Sequence, residues 1–136
     1  MANPRAFISF DFDHNETDKN LFAGQAKNSR TPFNIEDWSS KSSLPQSQWE
    51  KIINEKIGKC NLLIVLVGKT MASATGVAKE IAFAKEAEVP VFGVYVDGAD
   101  EKSNLPTGLQ RNRTISWEWE KIADAIDQAM KEGKNK

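Results

Sequence analysis

Short apolar runs alternate with amphipathic stretches along most of the chain. The runs at 6–12, 62–67 and 91–96 are apolar at nearly every position, which predicts strands that are buried on both faces of a sheet. The segment 33–38 alternates between apolar and polar residues and predicts a half-buried strand at the periphery. The short segment 114–116 predicts a last strand, which makes five in all.

Amphipathic stretches lie between these predicted strands. Apolar residues recur at three- and four-residue intervals within 17–27, 45–58, 77–88 and 119–130, and this spacing predicts helices. A proline opens the second of these stretches and a glycine closes it, as is common at helix ends. The chain contains no internal repeat.

Strands that alternate with helices favour a doubly wound α/β fold. We expect a flavodoxin-like, five-stranded, mostly parallel sheet with helices on both faces and right-handed crossovers. The 136 residues suit a single domain over 1–136, with its core at about 5–132. Such sheets bind ligands beyond the carboxyl ends of their strands, so we expect a site in the loops that follow the predicted strands.

The composition is that of an ordinary globular protein, with 40% hydrophobic and 27% charged residues. The net charge of -1 argues against a protein that holds nucleic acid by broad neutralisation of phosphates. The N-terminus carries no long apolar run, and no later stretch reaches the roughly 20 apolar residues of a membrane helix. We therefore expect a cytoplasmic protein that binds neither nucleic acid nor a membrane.

The low numbers of cysteine and histidine residues exclude several kinds of site. The chain has one cysteine, Cys60, and one histidine, His14. An internal disulfide, a cysteine-rich zinc site and a two-histidine metal site are therefore excluded, and a reducing compartment fits best. We expect no metal, because the acidic loop after the first strand lacks the glycine and the distal glutamate of a calcium loop.

Other kinds of site that are common in α/β proteins are excluded, because each lacks a residue or motif that it requires. Residues 68–70 carry only the last part of a P-loop, because its first glycine is missing. A phospho-receiver would find its acidic pair in Asp11 and Asp13, but Gly68 stands where the acceptor aspartate belongs. His14 has no nucleophile elbow with which to form a Ser-His-Asp triad, and we expect it to be a solvated loop residue.

Glu80 is the most informative charged residue. In a helix over 77–88, Val77 and Ile81 mark the buried face, whereas Lys79 points to solvent. Glu80 borders the apolar stripe just beyond the third predicted strand, so we expect its side chain to point into the cleft at the carboxyl ends of the strands. The alternative is a first-turn glutamate that complements the helix dipole, which needs no function.

Several motifs in a fixed order resemble one family. Residues 7–11, Phe-Ile-Ser-Phe-Asp, resemble the Phe-Ile-Ser-Tyr start of TIR domains. Five further stretches match in order, at 25–28, 32–33, 37–39, 64–68 and 77–81. Together the motifs resemble the TIR-like family of the bacterial Thoeris defence proteins over roughly residues 5–96. The resemblance is specific because all of these motifs occur in this order, whereas no single motif would suffice.

The resemblance implies an enzyme that consumes NAD+ as its substrate, without a further cofactor, and cleaves the bond between nicotinamide and ribose. The product would be an ADP-ribose-derived signalling nucleotide, linear or cyclic, that serves in anti-phage defence. Glu80 matches the family's catalytic glutamate. A carboxylate suits this reaction because it stabilises the oxocarbenium-like ribose that remains when nicotinamide departs. The leaving group is already cationic, so no general acid is required.

The resemblance also implies a set of substrate-binding residues in two loops. They are Ser9, Phe10 and Asp11 after the first strand, and Trp38, Ser39, Ser40 and Lys41 in what resembles the flexible loop of TIR domains. Phe10 and Trp38 offer planar faces for nicotinamide or adenine, and Lys41 can meet the pyrophosphate. A packing role for each of the two aromatic residues remains open.

Two positions depart from the usual TIR pattern. Gly76 stands four residues before Glu80, where many TIR domains have tryptophan, and Asp11 stands where many enzymatic members have a basic residue. Two alternatives to catalysis therefore stay open: a module that assembles with itself or a partner, and a sensor that binds a nucleotide without cleaving it.

Three tryptophans in or beside predicted helices are interpreted as packing residues: Trp49, Trp117 and Trp119.

The expected partners follow from the resemblance and the length together. A TIR-like enzyme of 136 residues without an attached effector domain needs a separate effector protein that senses its nucleotide product. NAD+ is the expected small-molecule partner. Self-association into a homo-oligomer is a further hypothesis.

Overall fold

The computed structural model describes residues 5–10, 20, 34–38, 45–68, 75–96, 98–100, 102–103, 105–106 and 108–132. The predicted helix at 17–27, except for residue 20, and the acidic loop before it lie outside these ranges. Four predicted site residues also lie outside them: Asp11, Ser39, Ser40 and Lys41. Only the backbone is described for 34–38.

Parallel strands form one sheet in the described part of the chain. In chain order they are β1 (Arg5–Ser9), β2 (Asn34–Trp38), β3 (Leu62–Val67), β4 (Val91–Tyr95) and β5 (Thr114–Ile115). Their order across the sheet is β2-β1-β3-β4-β5, and the neighbouring pairs are parallel. The prediction of an α/β fold with a parallel sheet is confirmed, and the order is that of flavodoxin-like folds. Strands β1 to β4 have five or six residues and carry the sheet, because β5 adds only two.

Helices cover this sheet and connect its strands. They are α1 (Gln46–Gly58), α2 (Thr75–Glu86) and α3 (Trp119–Glu132). Their ends agree to within two residues with the amphipathic stretches predicted at 45–58, 77–88 and 119–130. Among the described residues, no helix combines the length and the apolar character that crossing a membrane requires.

A left-handed residue sets the end of α2. Glu88 has a φ of 59°, and the N–H of Val89 donates to the carbonyl of Ala84 at 2.8 Å. A hydrogen bond of this span around a left-handed residue is the Schellman arrangement that closes many helices. The helix therefore ends two residues before the predicted end at 88, because the chain turns away there.

Each face of the sheet carries its own hydrophobic core. Strand β3 is buried along its whole length, and its alternate residues point to opposite faces. Ile64 packs in the core that α3 covers with Ile122 and Ile126, whereas Val65 packs in the core that α1 and α2 cover. Helices thus lie on both faces of the sheet, as predicted.

The surroundings of Gly93 in β4 show how tightly these cores are packed. A Cβ at this position would lie 2.8 Å from Leu109 Cδ2 and 3.1 Å from both Thr114 Cγ2 and Val67 Cγ2. Because three side chains surround this point, Gly93→Ala should overpack the core and lower the free energy of unfolding by about 1–3 kcal/mol. Urea denaturation followed by circular dichroism measures this change.

Gly58→Ala is the matched control for that substitution. A Cβ on Gly58 would meet no atom within 4 Å, and alanine is favoured over glycine in a helix by up to about 1 kcal/mol. We expect the control to have unchanged or slightly raised stability. Equal stability of Gly93→Ala and the wild-type protein would contradict the tight packing described here.

Candidate functional site

The neighbouring strands β1 and β3 end at one edge of the sheet. Ser9, the last residue of β1, pairs in register with Val65 of β3. The strand order changes direction here, since β2 lies on one side of β1 and β3 to β5 extend on the other. Helices α1 and α2 begin at this carboxyl edge, because each returns the chain to the amino end of the next parallel strand. In doubly wound folds, ligands bind in this crevice.

A buried hydrogen bond joins β1 to α2 at this edge. The hydroxyl of Ser9 donates to Oε1 of Glu80 at 2.6 Å, across a separation of 71 positions in the sequence. Ser9 is 0% exposed and Glu80 is 1% exposed. A distance this short is typical of a hydroxyl that donates to a carboxylate. The structure therefore brings together two residues of the predicted site.

Glu80 lies deeper than its sequence pattern indicated. Its helical neighbours Val77, Ile81 and Ala84 are buried. Glu80 lies among them rather than at the border of the apolar stripe. The dipole alternative does not fit this placement, because the first turn of α2 contains no acidic residue. A buried carboxyl group is costly unless it is hydrogen-bonded, and Ser9 supplies such a bond.

Phe10 lies on the other side of the sheet from Glu80. Successive residues of an extended chain point to opposite faces, so Ser9 faces α2 while Phe10 faces α3. The ring of Phe10 is 2% exposed and belongs to the core beneath α3. The predicted role of Phe10 as a planar face for nicotinamide or adenine stays a prediction, and in the described structure the ring is buried. Its alternative role in packing fits the structure.

Trp38 ends β2, and its backbone pairs with that of Ile8 in β1. The end of β2 therefore lies at the same carboxyl edge as Ser9. The side chain of Trp38 lies outside the described residues, as do the other predicted members of its loop. Within the described ranges, no three histidine, cysteine, aspartate or glutamate side chains are grouped so that they could hold a metal ion.

Trp49 lies at this edge, although its sequence position indicated packing alone. It stands in the first turn of α1, and its Cη2 atom is 4.0 Å from the position that a Cβ on Gly76 would take. Gly76 lies one helical turn before Glu80 on α2. Trp49 is half-buried and packs against the core that α1 and α2 share. The contact with Gly76 joins two helices, so spacing within either helix could not reveal it.

An ion pair beside this contact joins the same two helices. Nζ of Lys79 lies 2.6 Å from Oε1 of Glu50. The two side chains are 42% and 34% exposed, and pairs at this level of exposure contribute about 0–1 kcal/mol. The pair therefore adds little stability to the contact between α1 and α2.

A cavity of 580 Å³ lies further along the same edge, at the ends of β4 and β5. Its lining includes Arg111, Trp117 and Lys121. Lys121 and Ser116 both donate to the carboxylate of Glu118, and these hydrogen bonds lower the pKa of Glu118. In the sheet, β3 separates this cavity from the strand that carries Ser9.

One protein family matches most of the chain. Residues 7–101 match the family described as Thoeris protein ThsB, TIR-like domain. The matched segment is more than half of the 136 residues, and it contains Ser9, Trp49, Gly76 and Glu80. No curated protein sequence matches the chain.

Two solved structures align with nearly the whole chain. A prokaryotic SEFIR domain aligns with a TM-score of 0.52 and 14% sequence identity, over 95% of this chain and 91% of that chain. A 3-dehydroquinate dehydratase-like protein from Bifidobacterium longum aligns with a TM-score of 0.48 and 10% identity, over 96% of this chain and 97% of that chain. At such low identity, the likeness to the SEFIR domain shows a shared fold alone.

The hydrogen bond between Ser9 and Glu80 should couple β1 to α2 energetically. Ser9→Ala removes the donor to a buried carboxyl oxygen, which should lower the free energy of unfolding by about 1–3 kcal/mol. In a double-mutant cycle with Glu80→Ala, the two changes should be non-additive by about 0.5–3 kcal/mol. Urea denaturation of the four proteins in the cycle measures the coupling.

Ser116→Ala is the matched control. The hydroxyl of Ser116 also donates to a glutamate at 2.6 Å, but that bond is exposed. Its loss should change the free energy of unfolding by no more than about 0.5 kcal/mol. Additive effects of Ser9→Ala and Glu80→Ala would contradict the coupling.

Proposed function

The chain belongs to the family of Thoeris ThsB TIR-like domains, and we propose that it cleaves the nicotinamide–ribose bond of NAD+. The product in this proposal is an ADP-ribose-derived signalling nucleotide, linear or cyclic, that acts in anti-phage defence. NAD+ is the substrate, and no other cofactor takes part. The observation that carries the proposal is the pairing of Ser9 with Glu80 at the carboxyl edge of the sheet.

The proposed reaction needs a carboxylate beside the ribose. The bond between C1′ of the ribose and the nicotinamide nitrogen breaks, and its electron pair stays on that nitrogen, so the cationic ring leaves as neutral nicotinamide. The ribose becomes an oxocarbenium-like cation, which the negative charge of Glu80 stabilises. Water then attacks C1′ and releases a proton, which yields ADP-ribose, or a nucleophilic atom of the ADP-ribose attacks and closes a ring.

Ser9 positions the glutamate for this reaction. Its hydroxyl holds Oε1 of Glu80, so the carboxylate keeps one orientation. Orientation matters because a displacement of about 1 Å in a reacting geometry can lower the rate about 100-fold. A carboxylate that is already fixed stabilises the ribose cation without reorganising during the reaction.

The burial of Glu80 limits its basal activity in this proposal. At 1% exposure, the carboxylate contacts a ribose only after the groups that cover it move apart. We therefore expect low turnover of NAD+ in the resting protein. A trigger that opens the carboxyl edge should raise the rate.

We also propose partners and a location for this protein. A separate effector protein senses the nucleotide product, and a second copy of the chain associates with the first in the cytoplasm. Neither nucleic acid nor a membrane is bound. Membership of the Thoeris ThsB family supports the assignment to the Thoeris system.

A non-catalytic role is the alternative that the burial of Glu80 favours. A glutamate that is 1% exposed also suits a module in which the Ser9–Glu80 bond only stabilises the fold. Such a module would bind a nucleotide or a protein partner and leave NAD+ intact. The two functions differ in whether nicotinamide is released.

Incubation of the purified protein with NAD+ tests the proposal. We expect nicotinamide release that rises when an extract of phage-infected cells is added as the trigger. Glu80→Gln should lower the rate by at least about 100-fold, which is the scale seen when an electrostatic stabiliser of a transition state is removed. Chromatography quantifies nicotinamide, and mass spectrometry distinguishes linear from cyclic products.

Glu86→Gln is the matched control, because Glu86 is an exposed glutamate on the same helix. It should keep the wild-type rate, and the extract alone supplies the background rate. Unchanged nicotinamide release in Glu80→Gln would overturn the assignment of Glu80. Binding of NAD+ without release of nicotinamide under any trigger would favour the non-catalytic alternative.

A further inference from the structure

We infer that the cavity at the ends of β4 and β5 binds a 5′-mononucleotide. Its volume of 580 Å³ lies within the range of about 300–1,000 Å³ that holds small organic ligands in proteins. Its lining contains cations that suit a phosphate, a carboxylate that suits a ribose and aromatic rings that suit a base. The inference does not rest on the proposed function, because Ser9 and Glu80 are not among the described residues that line this cavity.

The cavity lies on a different part of the carboxyl edge from Glu80. Tyr95 ends β4, and residues 114–115 form β5; all three residues line the cavity. The strand order β1-β3-β4-β5, with about 4.8 Å between neighbouring strands, places β5 roughly 14 Å from β1. A ligand that binds along β5 is therefore separated by two strands from the strand that carries Ser9.

Two aromatic residues line the cavity from opposite faces of the sheet. Tyr95 packs against the core beneath α1 and α2, whereas Trp117 packs against the core beneath α3. Both residues are half-buried and both line the cavity, so each is held by a core and presents part of its surface to the cavity. Aromatic side chains of this kind stack on nucleobases, because every base has a planar face.

Lys121 is suited to bind the phosphate. Its ammonium has three protons. Nζ lies 2.8 Å from the carboxylate of Glu118 and donates to the hydroxyl of Ser116 at 3.1 Å. These are its polar partners in the described part of the chain, so a third proton remains for a phosphate oxygen. Lysine binds phosphate in this way, as a point charge that donates hydrogen bonds.

Arg111 adds a second cation to the lining. One of its Nη atoms donates to the carbonyl of Ser103 at 2.8 Å. The hydroxyl of Ser103 accepts from the N–H of Asp100 at 3.0 Å, so these contacts tie Arg111 to the segment that carries Asp100. The positive charge is thus held at the cavity before a ligand arrives, and less conformational freedom is lost on binding.

Asp100 favours a nucleotide over a simple phosphate ion. A carboxylate repels a phosphate, but it accepts hydrogen bonds from the hydroxyls of a ribose, as an acidic residue does in dinucleotide-binding folds. Oδ1 of Asp100 accepts from the N–H of Lys102 at 2.9 Å, which orients the group. An ionised carboxylate can accept several hydrogen bonds. A lining with both signs of charge and two aromatic residues therefore fits a ligand with a phosphate, a sugar and a base.

Isothermal titration calorimetry with adenosine 5′-monophosphate (AMP) tests the inference. The wild-type protein should bind AMP saturably at one site. Adenosine, ribose 5-phosphate and inorganic phosphate should each bind at least about tenfold more weakly, because each lacks a part of the ligand that the lining recognises.

Two substitutions test the groups assigned to the phosphate and the base. Lys121→Gln should raise the Kd for AMP about tenfold, because it removes a charge-assisted hydrogen bond to the phosphate. Trp117→Leu should also raise it about tenfold, because it removes the ring on which the base stacks. Trp117→Phe should raise it less, since an aromatic ring remains. Thermal unfolding confirms that each variant is folded.

A ligand without the 2′-hydroxyl tests the role of Asp100. Deoxyadenosine 5′-monophosphate should bind the wild-type protein about fivefold more weakly than AMP, because it loses a hydrogen bond to a charged group. In Asp100→Asn the difference between the two ligands should fall below about twofold, since the charged acceptor is absent. An undiminished difference in this variant would contradict the assignment of Asp100 to the ribose.

Lys131→Gln is the matched control. Lys131 is an exposed lysine on the same helix, and it lies ten residues after Lys121, about 15 Å further along the axis. It should keep the Kd for AMP within about twofold of the wild-type value. Glu80→Gln should do the same, because the cavity lies away from Glu80.

The outcomes decide the inference apart from the proposed function. Failure of AMP to bind saturably, equal binding of AMP and inorganic phosphate, or an unchanged Kd in both Lys121→Gln and Trp117→Leu would overturn it. A Kd for AMP that rises about tenfold in Glu80→Gln would also overturn it, because AMP would then bind beside Glu80. The proposed function is decided by the release of nicotinamide, which none of these titrations measures.

Discussion

The buried hydrogen bond between Ser9 and Glu80 is the contact on which the fold and the candidate site both depend. A carboxyl group that is 1% exposed needs a donor nearby, because the loss of such a donor costs on the order of 1–3 kcal/mol. Ser9 can be that donor only if β1 lies beside β3 and α2 packs on the face to which Ser9 points. The strand order and the burial of Val77 and Ile81 meet these two conditions.

The elements that could be predicted from the sequence are those with the strongest apolar pattern. The unbroken run of β3 is buried at every position, and the periodicity of α3 places Ile122 and Ile126 in the core. The end of β1 was harder to predict, since the strand stops at Ser9 rather than at residue 12. Phe10 is buried although the strand has already ended. Apolar character indicates burial, whereas pairing with the neighbouring backbone decides where a strand stops.

The candidate site could be predicted where it depends on one helix, but not where it depends on two elements. Glu80 stood out because its position relative to the apolar stripe is a property of α2 alone. The buried hydrogen bond that its carboxyl group accepts comes from Ser9, 71 positions away. The contact of Trp49 with Gly76 also crosses between elements. The resemblance left both a ligand-binding and a packing role open for Phe10, because it identifies matching positions and not the face of the sheet that each side chain occupies.

The glycine at position 76 has a physical explanation once α1 is taken into account. A Cβ on Gly76 would lie 4.0 Å from the indole of Trp49, so a tryptophan at 76, as in many TIR domains, would compete with Trp49 for the same space. One indole covers this turn, and in this chain α1 supplies it. The packing of α1 against α2, with the Glu50–Lys79 pair beside it, then becomes part of the candidate site. Substitutions that shift α1 would therefore change the surroundings of this turn without any change at Glu80.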